Sequence, residues 1–294
     1  MTVQPGSTAI EITARMLILA GCFVVTLAHF VMEPFRWNRC YQPADCTRRT
    51  QSSTRDALLC TALATYILPF KLGIPLRVYL LRRKGDLTLH LVGVVIALDG
   101  LISLVIWTTI AAFCAWTASL RWKPPGYLWV AVSAAVLVCL VVVVLQRQLG
   151  ARMLQRLRNA LTLLDRPWKR ISCSAMILLV DVMSYGLRHA LLLLLITDNA
   201  RDMPVVAAVG IIATFTGIIS GLPMGLVGYD ATLIALLAVV GIHPEQALLM
   251  ALINRALNLV AAAALGIPAA MRMGLGSSVG SIISKFREIA NDKP

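Results

Sequence analysis

Long runs of apolar residues, each sufficient to cross a lipid bilayer as one helix, constrain this chain more than any other feature. Such runs cover residues 12–32, 87–116, 127–145 and 171–196. About 20 predominantly apolar residues are needed to span the hydrocarbon core as an α-helix. The ten-residue segments of alternating polarity that are typical of membrane β-barrels are absent from the sequence. The runs therefore predict an all-α polytopic membrane protein.

Composition agrees with that class, and the charge pattern predicts an orientation. Hydrophobic residues make up 59 % of the chain, whereas soluble domains contain about 45–50 % apolar residues. Most of the 27 Lys and Arg residues lie in four segments, which are 34–56, 71–84, 147–170 and 272–294. The positive-inside rule makes these segments cytoplasmic, with the N-terminus outside and the C-terminus inside. The net charge of +13 then reports orientation, and we predict no nucleic-acid binding.

Two segments containing Pro and Gly are too short or too interrupted to be simple spans. Residues 57–70 lie between basic clusters, and residues 204–242 lie between two predicted outer connections. Segments of such length suit re-entrant structures. We predict that the region 57–84 enters and leaves at the cytoplasmic face, and that 204–242 forms a hairpin open to the outside. For residues 57–70, a buried core helix or one short span is the alternative.

The two broken segments are followed by the same spacing of residues. In the first half Gly85 follows Pro69, and Asp99 lies fourteen residues after Gly85. In the second half Gly241 follows Pro223, and Arg255 lies fourteen residues after Gly241. Paired broken segments in the two halves of a transporter mark its central binding site. The pattern predicts an inverted repeat within one membrane domain.

The halves and their connections follow from these assignments. We expect a first half over 12–146, a second half over 171–272 and a cytoplasmic tail over 273–294. Residues 147–170 carry Leu and Met on one predicted helix face and Arg on the other. This pattern predicts an amphipathic linker helix on the inner membrane surface.

Ionisable residues inside the apolar runs are the first candidates for a site, because such groups usually face the bundle interior or a wet cavity. The candidates are Asp99, Asp181, Arg188, His189, Asp230 and Arg255. Asp230 is the best candidate for a protonation switch. An Asp181–Arg188 or Asp99–Arg255 ion pair that only holds helices together is the structural alternative.

Basic side chains and glycines at the broken segments suggest contacts with a lipid head-group. Arg255 suits a lipid phosphate, because guanidinium groups grip phosphate oxygens in bidentate fashion. Lys71 and Arg77 suit the same role at the inner segment, although basic residues beside a span often serve only as topology signals. Unwound backbone near Gly225 and Gly228 offers further binding groups if it lines a cavity. Small-residue packing is the alternative for these glycines and for Gly217 and Gly221.

The cysteines and histidines do not indicate a metal, a cofactor or a catalytic centre. Cys40 and Cys46 share one predicted cytoplasmic loop, so we expect free thiols. Zinc-protease and phosphate-loop motifs are absent from the sequence. We therefore expect no enzymatic activity, no cofactor and no metal site.

Several motifs resemble those of the lysylphosphatidylglycerol synthase/flippase transmembrane family, which includes the lipid-flipping domain of the multiple peptide resistance factor. The first half supplies Arg36 and Trp37, the turn 69–77 (PFKLGIPLR) and the Asp99–Gly100 pair. The second half supplies the segment GLPMGLVGYDATL followed in register by Gly241 and Arg255. The resemblance covers about residues 30–270. It implies broken-helix turns at Pro69, Gly73 and Pro223.

The chain departs from the family pattern in its first half. Lys71 stands where the family has Arg, and Ile74 stands where the family has Glu. Gly100 stands where the family has the Arg of a Glu-Arg pair. The resemblance implies a flippase-like transporter that moves a phospholipid or lipid-linked intermediate by alternating access in a bacterial or archaeal inner membrane. No soluble aminoacyl-transfer segment is recognised, so we expect no lipid charging. The alternative is a non-transporting, lipid-binding partner of a lipid or envelope biosynthesis enzyme.

Overall fold

Eight α-helices make up the described part of the protein. The computed structural model describes residues 5–42, 47–68, 72–85, 88–121, 167–197, 200–220, 225 and 227–275. The helices are α1 (Pro5–Cys40), α2 (Arg48–Ile67), α3 (Gly73–Gly85), α4 (Leu89–Arg121), α5 (Pro167–Ile196), α6 (Met203–Ile219), α7 (Gly228–Val239) and α8 (Pro244–Arg272). Within these ranges no strand occurs, which confirms the predicted all-α class.

Four of the described helices are long and apolar enough to cross a membrane. They are α1 from Glu11, α4 over Leu91–Thr117, α5 and α8. Their outer faces carry large apolar side chains, such as Val105 at 62 % exposure and Leu252 at 55 %. A water-soluble protein rarely exposes contiguous apolar surface of this extent. These faces therefore suit contact with lipid tails.

Charged and polar side chains occupy the interior of the bundle. Buried members include Arg36, Asp99, Arg188, His189 and Asn254. Apolar packing surrounds them in two main clusters. One joins α5, α6, α7 and α8, and the other joins the end of α1 to α2, α3 and α4. Three of the predicted intramembrane ionisable residues, Asp99, Arg188 and His189, are thus buried inside the bundle.

The shorter helices are arranged as two hairpins. Helix α2 packs against α3, and helix α6 packs against α7. In the second hairpin the Thr216 hydroxyl donates a 3.0 Å hydrogen bond to the Thr232 hydroxyl, and Ser220 adjoins Gly228. These pairings show that α6 and α7 run antiparallel. With 13 and 12 residues, α3 and α7 are each about 20 Å long, which is shorter than the hydrocarbon core.

The predicted boundaries around residues 34–56 are wrong. Helix α1 continues to Cys40, because Trp37 and Cys40 are buried against the apolar cluster at that end. Helix α2 begins at Arg48 and not near residue 57, and the Thr47 hydroxyl caps its first turn by accepting a hydrogen bond from the Thr50 amide. A polar first half of α2 gave no apolar signal in the sequence. Cys40 therefore lies in a helix and not in a loop, and Cys46 lies outside the described residues.

The other predicted segments are described to different extents. The span 127–145 lies outside the described residues, as do residues 147–166 of the predicted linker and all of the tail beyond residue 275. Residues 167–170 form the first turn of α5 and so belong to a long helix.

Candidate functional site

The ends of both hairpins line one central cavity of about 230 Å³. The first hairpin contributes Thr65 and Tyr66 from the end of α2. The second contributes Gly217, Gly225 and Tyr229 from the two sides of its break. Helices α5 and α8 complete the wall with Tyr185, Arg188, Asn254, Arg255 and Asn258. The two segments that the sequence singled out thus meet at one polar space.

Close backbone packing explains the glycines at the second hairpin. Gly225 has a φ of +66°, a conformation that side chains other than glycine rarely adopt. A Cβ atom at Gly225 would lie 2.8 Å from the Gly217 Cα atom. Gly228 faces Ser220 equally closely. Close packing therefore requires glycine at these positions. Gly225 also lines the cavity.

Arg188 places a buried positive charge at this cavity. Its side chain is 2 % exposed, and its Nη1 donates a 2.9 Å hydrogen bond to Asn258 Oδ1. Its guanidinium carbon lies 4.7 Å from the centroid of the Tyr185 ring. In the described part of the chain, Arg188 forms no ion pair with a carboxylate, and its buried Nε has no hydrogen-bond partner.

The two ion pairs suggested by the sequence are wrong. Asp181 lies 2.6 Å from His29 Nδ1 and not beside Arg188. Asp99 accepts a 2.9 Å hydrogen bond from Arg36. Arg255 binds Asp230 through both Nε and Nη2. Partners that lie far apart in sequence depend on helix packing, which spacing along one helix cannot reveal.

Arg255 is therefore less available for a phosphate than the sequence suggested. Its fork-like contact with Asp230 uses two of its donors, although the guanidinium still lines the cavity. Asp230 is correspondingly held as the partner of a cation. Arg255 thus lines the cavity as a paired cation, whereas Arg188 lines it without a carboxylate partner in the described part of the chain.

A buried hydrogen-bonded chain braces the cavity wall. His189 Nδ1–H donates to the Tyr185 carbonyl at 2.7 Å, so its Nε2 accepts from the Tyr229 hydroxyl, also at 2.7 Å. The same hydroxyl accepts a 2.7 Å hydrogen bond from Asn254 Nδ2. Asn258 Nδ2 donates to the Asn254 carbonyl at 2.8 Å. The sequence pattern did not single out Tyr229, Asn254 and Asn258 as site residues, although the two asparagines lie four positions apart on one face of α8.

A second cavity of about 470 Å³ adjoins the first, and Tyr185 lines both. Its polar wall contains His29, Glu33, Arg36, Asp99 and Asp181. The His29 ring joins Asp181 to the Tyr185 hydroxyl, which lies 2.8 Å from Nε2. The sequence pattern singled out neither His29 nor Glu33, so both are additions to the site.

Asp99 is held on two sides at the edge of the second cavity. Arg36 donates to one oxygen and the Tyr41 hydroxyl donates to the other at 3.0 Å. Burial, together with the charge of Asp99, raises the pKa of the Tyr41 phenol above its usual value. Tyr41 is therefore a neutral hydrogen-bond donor at all physiological pH values.

The remaining predicted residues of the two hairpins differ in what they contact. Arg77 pairs with Glu33 at 2.6 Å, so its charge is neutralised by α1. Gly73 packs directly against Thr61 and Thr65 of α2. Pro69, Lys71 and Pro223 lie outside the described residues.

Within the described ranges, no group of three His, Cys, Asp or Glu side chains is arranged to hold a metal ion. The described cysteines are free thiols.

The comparisons with known proteins identify a family. The family model described as the lysylphosphatidylglycerol synthase TM region matches residues 7–266. No curated protein and no solved structure matches the chain.

Proposed function

Because the chain belongs to the lysylphosphatidylglycerol synthase transmembrane-region family, we propose that it is a flippase-like transporter that moves a phospholipid or lipid-linked intermediate between leaflets. The observation that carries this proposal is the buried Arg188, which has no carboxylate partner among the described residues, in a cavity between two helical hairpins. The substrate phosphate supplies the missing negative charge.

The energetics favour an anionic ligand at this position. Leaving a buried charge without its partner destabilises a protein by about 3–5 kcal/mol. A phosphate in the cavity relieves that cost, and a guanidinium offers it charge-assisted hydrogen bonds. Arg188 keeps donors for this purpose, because Asn258 occupies Nη1 while Nε is unpaired. These donors support the proposal that Arg188 binds the substrate phosphate.

The hairpins supply the moving parts. Helix α2 ends at Ile67 and α3 begins at Gly73, whereas α6 ends at Ile219 and α7 begins at Gly228. Tyr66 and Gly225, close to these helix ends, line the cavity. We propose that the two hairpins enter the membrane from opposite faces as an inverted repeat. The first opens the cavity to the cytoplasmic leaflet and the second opens it to the outer leaflet.

The charge distribution supports the placement of the protein. We propose the inner membrane of a bacterial or archaeal cell, with the N-terminus outside and the C-terminus cytoplasmic. Membrane lipids are the proposed substrates, and the lipid tails remain in the bilayer beside the exposed apolar faces of α5 and α8.

Lipid movement in reconstituted vesicles tests the proposal. Purified protein is placed in vesicles with a fluorescent phospholipid, and a membrane-impermeant quencher reports the fraction in the outer leaflet over time. We expect wild-type protein to accelerate exchange and Arg188→Gln to reduce the rate by about 10- to 100-fold, the equivalent of a lost charge-assisted hydrogen bond. Arg15→Gln is the matched control, because Arg15 is exposed and pairs only with Glu11 in the described residues. Equal rates for Arg188→Gln and wild type, with both folded, refute the proposal.

A non-transporting lipid-binding partner of a lipid or envelope biosynthesis enzyme is the second candidate. The depleted first-half motif favours it, because the side chain of Ile74 is 46 % exposed where the family has a carboxylate. This candidate predicts that wild-type protein retains lipid in an Arg188-dependent manner without accelerating exchange. The same vesicles, analysed for bound lipid, distinguish the two functions.

A further inference from the structure

A polar cleft lies at one end of the bundle, where α2 begins and where α3 and α8 end. Its volume is about 690 Å³. Arg49, Arg83 and Arg272 line it together with Asp56 and four hydroxyl side chains, Thr47, Thr50, Ser52 and Ser53. We refer to this group as the arginine cleft. It shares no lining residue with the central cavity.

The arginines come from three distant parts of the sequence. Arg49 belongs to the first turn of α2, Arg83 to the last turns of α3, and Arg272 ends α8. Topology signals require only that basic residues lie on one side of the membrane. Their convergence around one cleft is an additional feature that topology does not require.

Two of the three guanidinium groups are held in position by the fold. Asp56 is 4 % exposed and accepts 2.9 Å hydrogen bonds from both Nε and Nη2 of Arg272, which leaves the Nη1 edge to other acceptors. Arg83 donates to the Tyr79 hydroxyl and lies 5.7 Å from the centroid of that ring. Groups fixed before binding lose less conformational entropy when a ligand arrives.

The charge balance of the cleft is positive. Three guanidinium groups face one carboxylate, and both oxygens of that carboxylate are already bonded to Arg272. Arg55, half-exposed, also approaches Asp56 at 3.4 Å. The hydroxyl groups add neutral donors, and the positive end of the α2 dipole points to the same space. Guanidinium and hydroxyl donors together match phosphate oxygens.

We propose that the arginine cleft is a second binding site, separate from the central cavity, for a phosphate-bearing anion. Two sources carry this chemistry, namely the head-group of an anionic lipid at the membrane surface and a soluble phosphate ester. The proposal does not depend on lipid transport, because none of its residues lines the central cavity.

The test compares variants of the full chain in lipid nanodiscs. The first probe is inorganic pyrophosphate, which is titrated by calorimetry into protein in phosphatidylcholine nanodiscs. The second probe is phosphatidylglycerol. Nanodiscs of equimolar phosphatidylglycerol and phosphatidylcholine are used for it, and native mass spectrometry counts the phosphatidylglycerol molecules that stay bound when the protein is released from the nanodisc. We expect Arg49→Gln/Arg83→Gln to weaken binding of one probe by at least about tenfold. Arg48→Gln/Arg82→Gln is the control, because it removes an equal charge from exposed positions on α2 and α3 outside the cleft.

Each outcome decides the question. Loss of pyrophosphate binding assigns a soluble ester, and loss of retained phosphatidylglycerol assigns a lipid head-group. We expect the same fold-change when Arg49→Gln/Arg83→Gln is introduced into an Arg188→Gln background, so failure of the transport proposal is separable. Equal behaviour of Arg49→Gln/Arg83→Gln and Arg48→Gln/Arg82→Gln, or no binding of either probe to wild type, overturns the proposal. If the double variant unfolds, the single Arg49→Gln, at an exposed position, is compared with the single Arg82→Gln.

Discussion

Replacing Gly210 with Ala tests how closely α5 and α6 must approach beside the central cavity. A Cβ atom at Gly210 would lie 2.2 Å from His189 Cγ and 2.6 Å from its Cβ. Ordinary contacts between carbon atoms are about 3.5–4.0 Å. The two helices, or the imidazole, must therefore separate by more than about 1 Å.

The imidazole has little freedom to make that movement. It is fully buried and bonded at both nitrogens, to the Tyr185 carbonyl and to the Tyr229 hydroxyl. Overpacking a core costs about 1–3 kcal/mol, and an orphaned buried polar group costs about 1–3 kcal/mol more. We expect Gly210→Ala to lower the free energy of unfolding by about 2–6 kcal/mol, the sum of these two costs.

Equilibrium unfolding in mixed detergent micelles, titrated with dodecyl sulfate and followed by tryptophan fluorescence, measures this loss. Gly93→Ala is the matched control, because Gly93 also lies within a long helix but a Cβ there meets nothing within 4 Å. We expect this control to be neutral or stabilised by up to about 1 kcal/mol. Equal unfolding free energies for the two variants refute the argument from close helix packing.

Two further substitutions examine the polar interior. Tyr229→Phe removes the partner of His189 Nε2 and of Asn254 Nδ2, so we expect a loss of about 2 kcal/mol or more in the same titration; an unchanged midpoint contradicts the hydrogen-bonded chain. Asp230→Asn leaves the Arg255 guanidinium without its carboxylate, and because the pair is partly exposed we expect a loss of about 1 kcal/mol. Adding Arg255→Gln should then cost little more, and fully additive losses in this double-mutant cycle contradict a direct pair.

The sequence was sufficient to predict which residues belong to the interior. Asp99 and Arg188 interrupt apolar runs, and the cost of a charge in hydrocarbon directs them inward. Both are buried. The break between α6 and α7 was equally evident, because Pro and Gly interrupt an otherwise apolar segment. The family resemblance is confirmed by the family match.

The partners of these residues were not predictable from spacing. Asp99 binds Arg36, which lies 63 positions away, and this contact depends on how the assembled bundle brings α1 and α4 near each other. The start of α2 was missed for a different reason. Its first turns are polar, and only the Thr47 cap marks the boundary. Arg188 was selected as an ion-pair candidate, but only the assembled bundle shows that it lacks a carboxylate in the described residues.

The position of a lipid phosphate relative to Arg188 tests the central claim most directly. Solid-state NMR measures the dipolar coupling between ¹⁵N-labelled arginine and lipid ³¹P in bilayers that contain the protein. We predict a ¹⁵N–³¹P coupling at hydrogen-bonding distance in wild type that disappears in Arg188→Gln and persists in Arg15→Gln. If wild type and Arg188→Gln show the same arginine–phosphorus couplings, the account is contradicted.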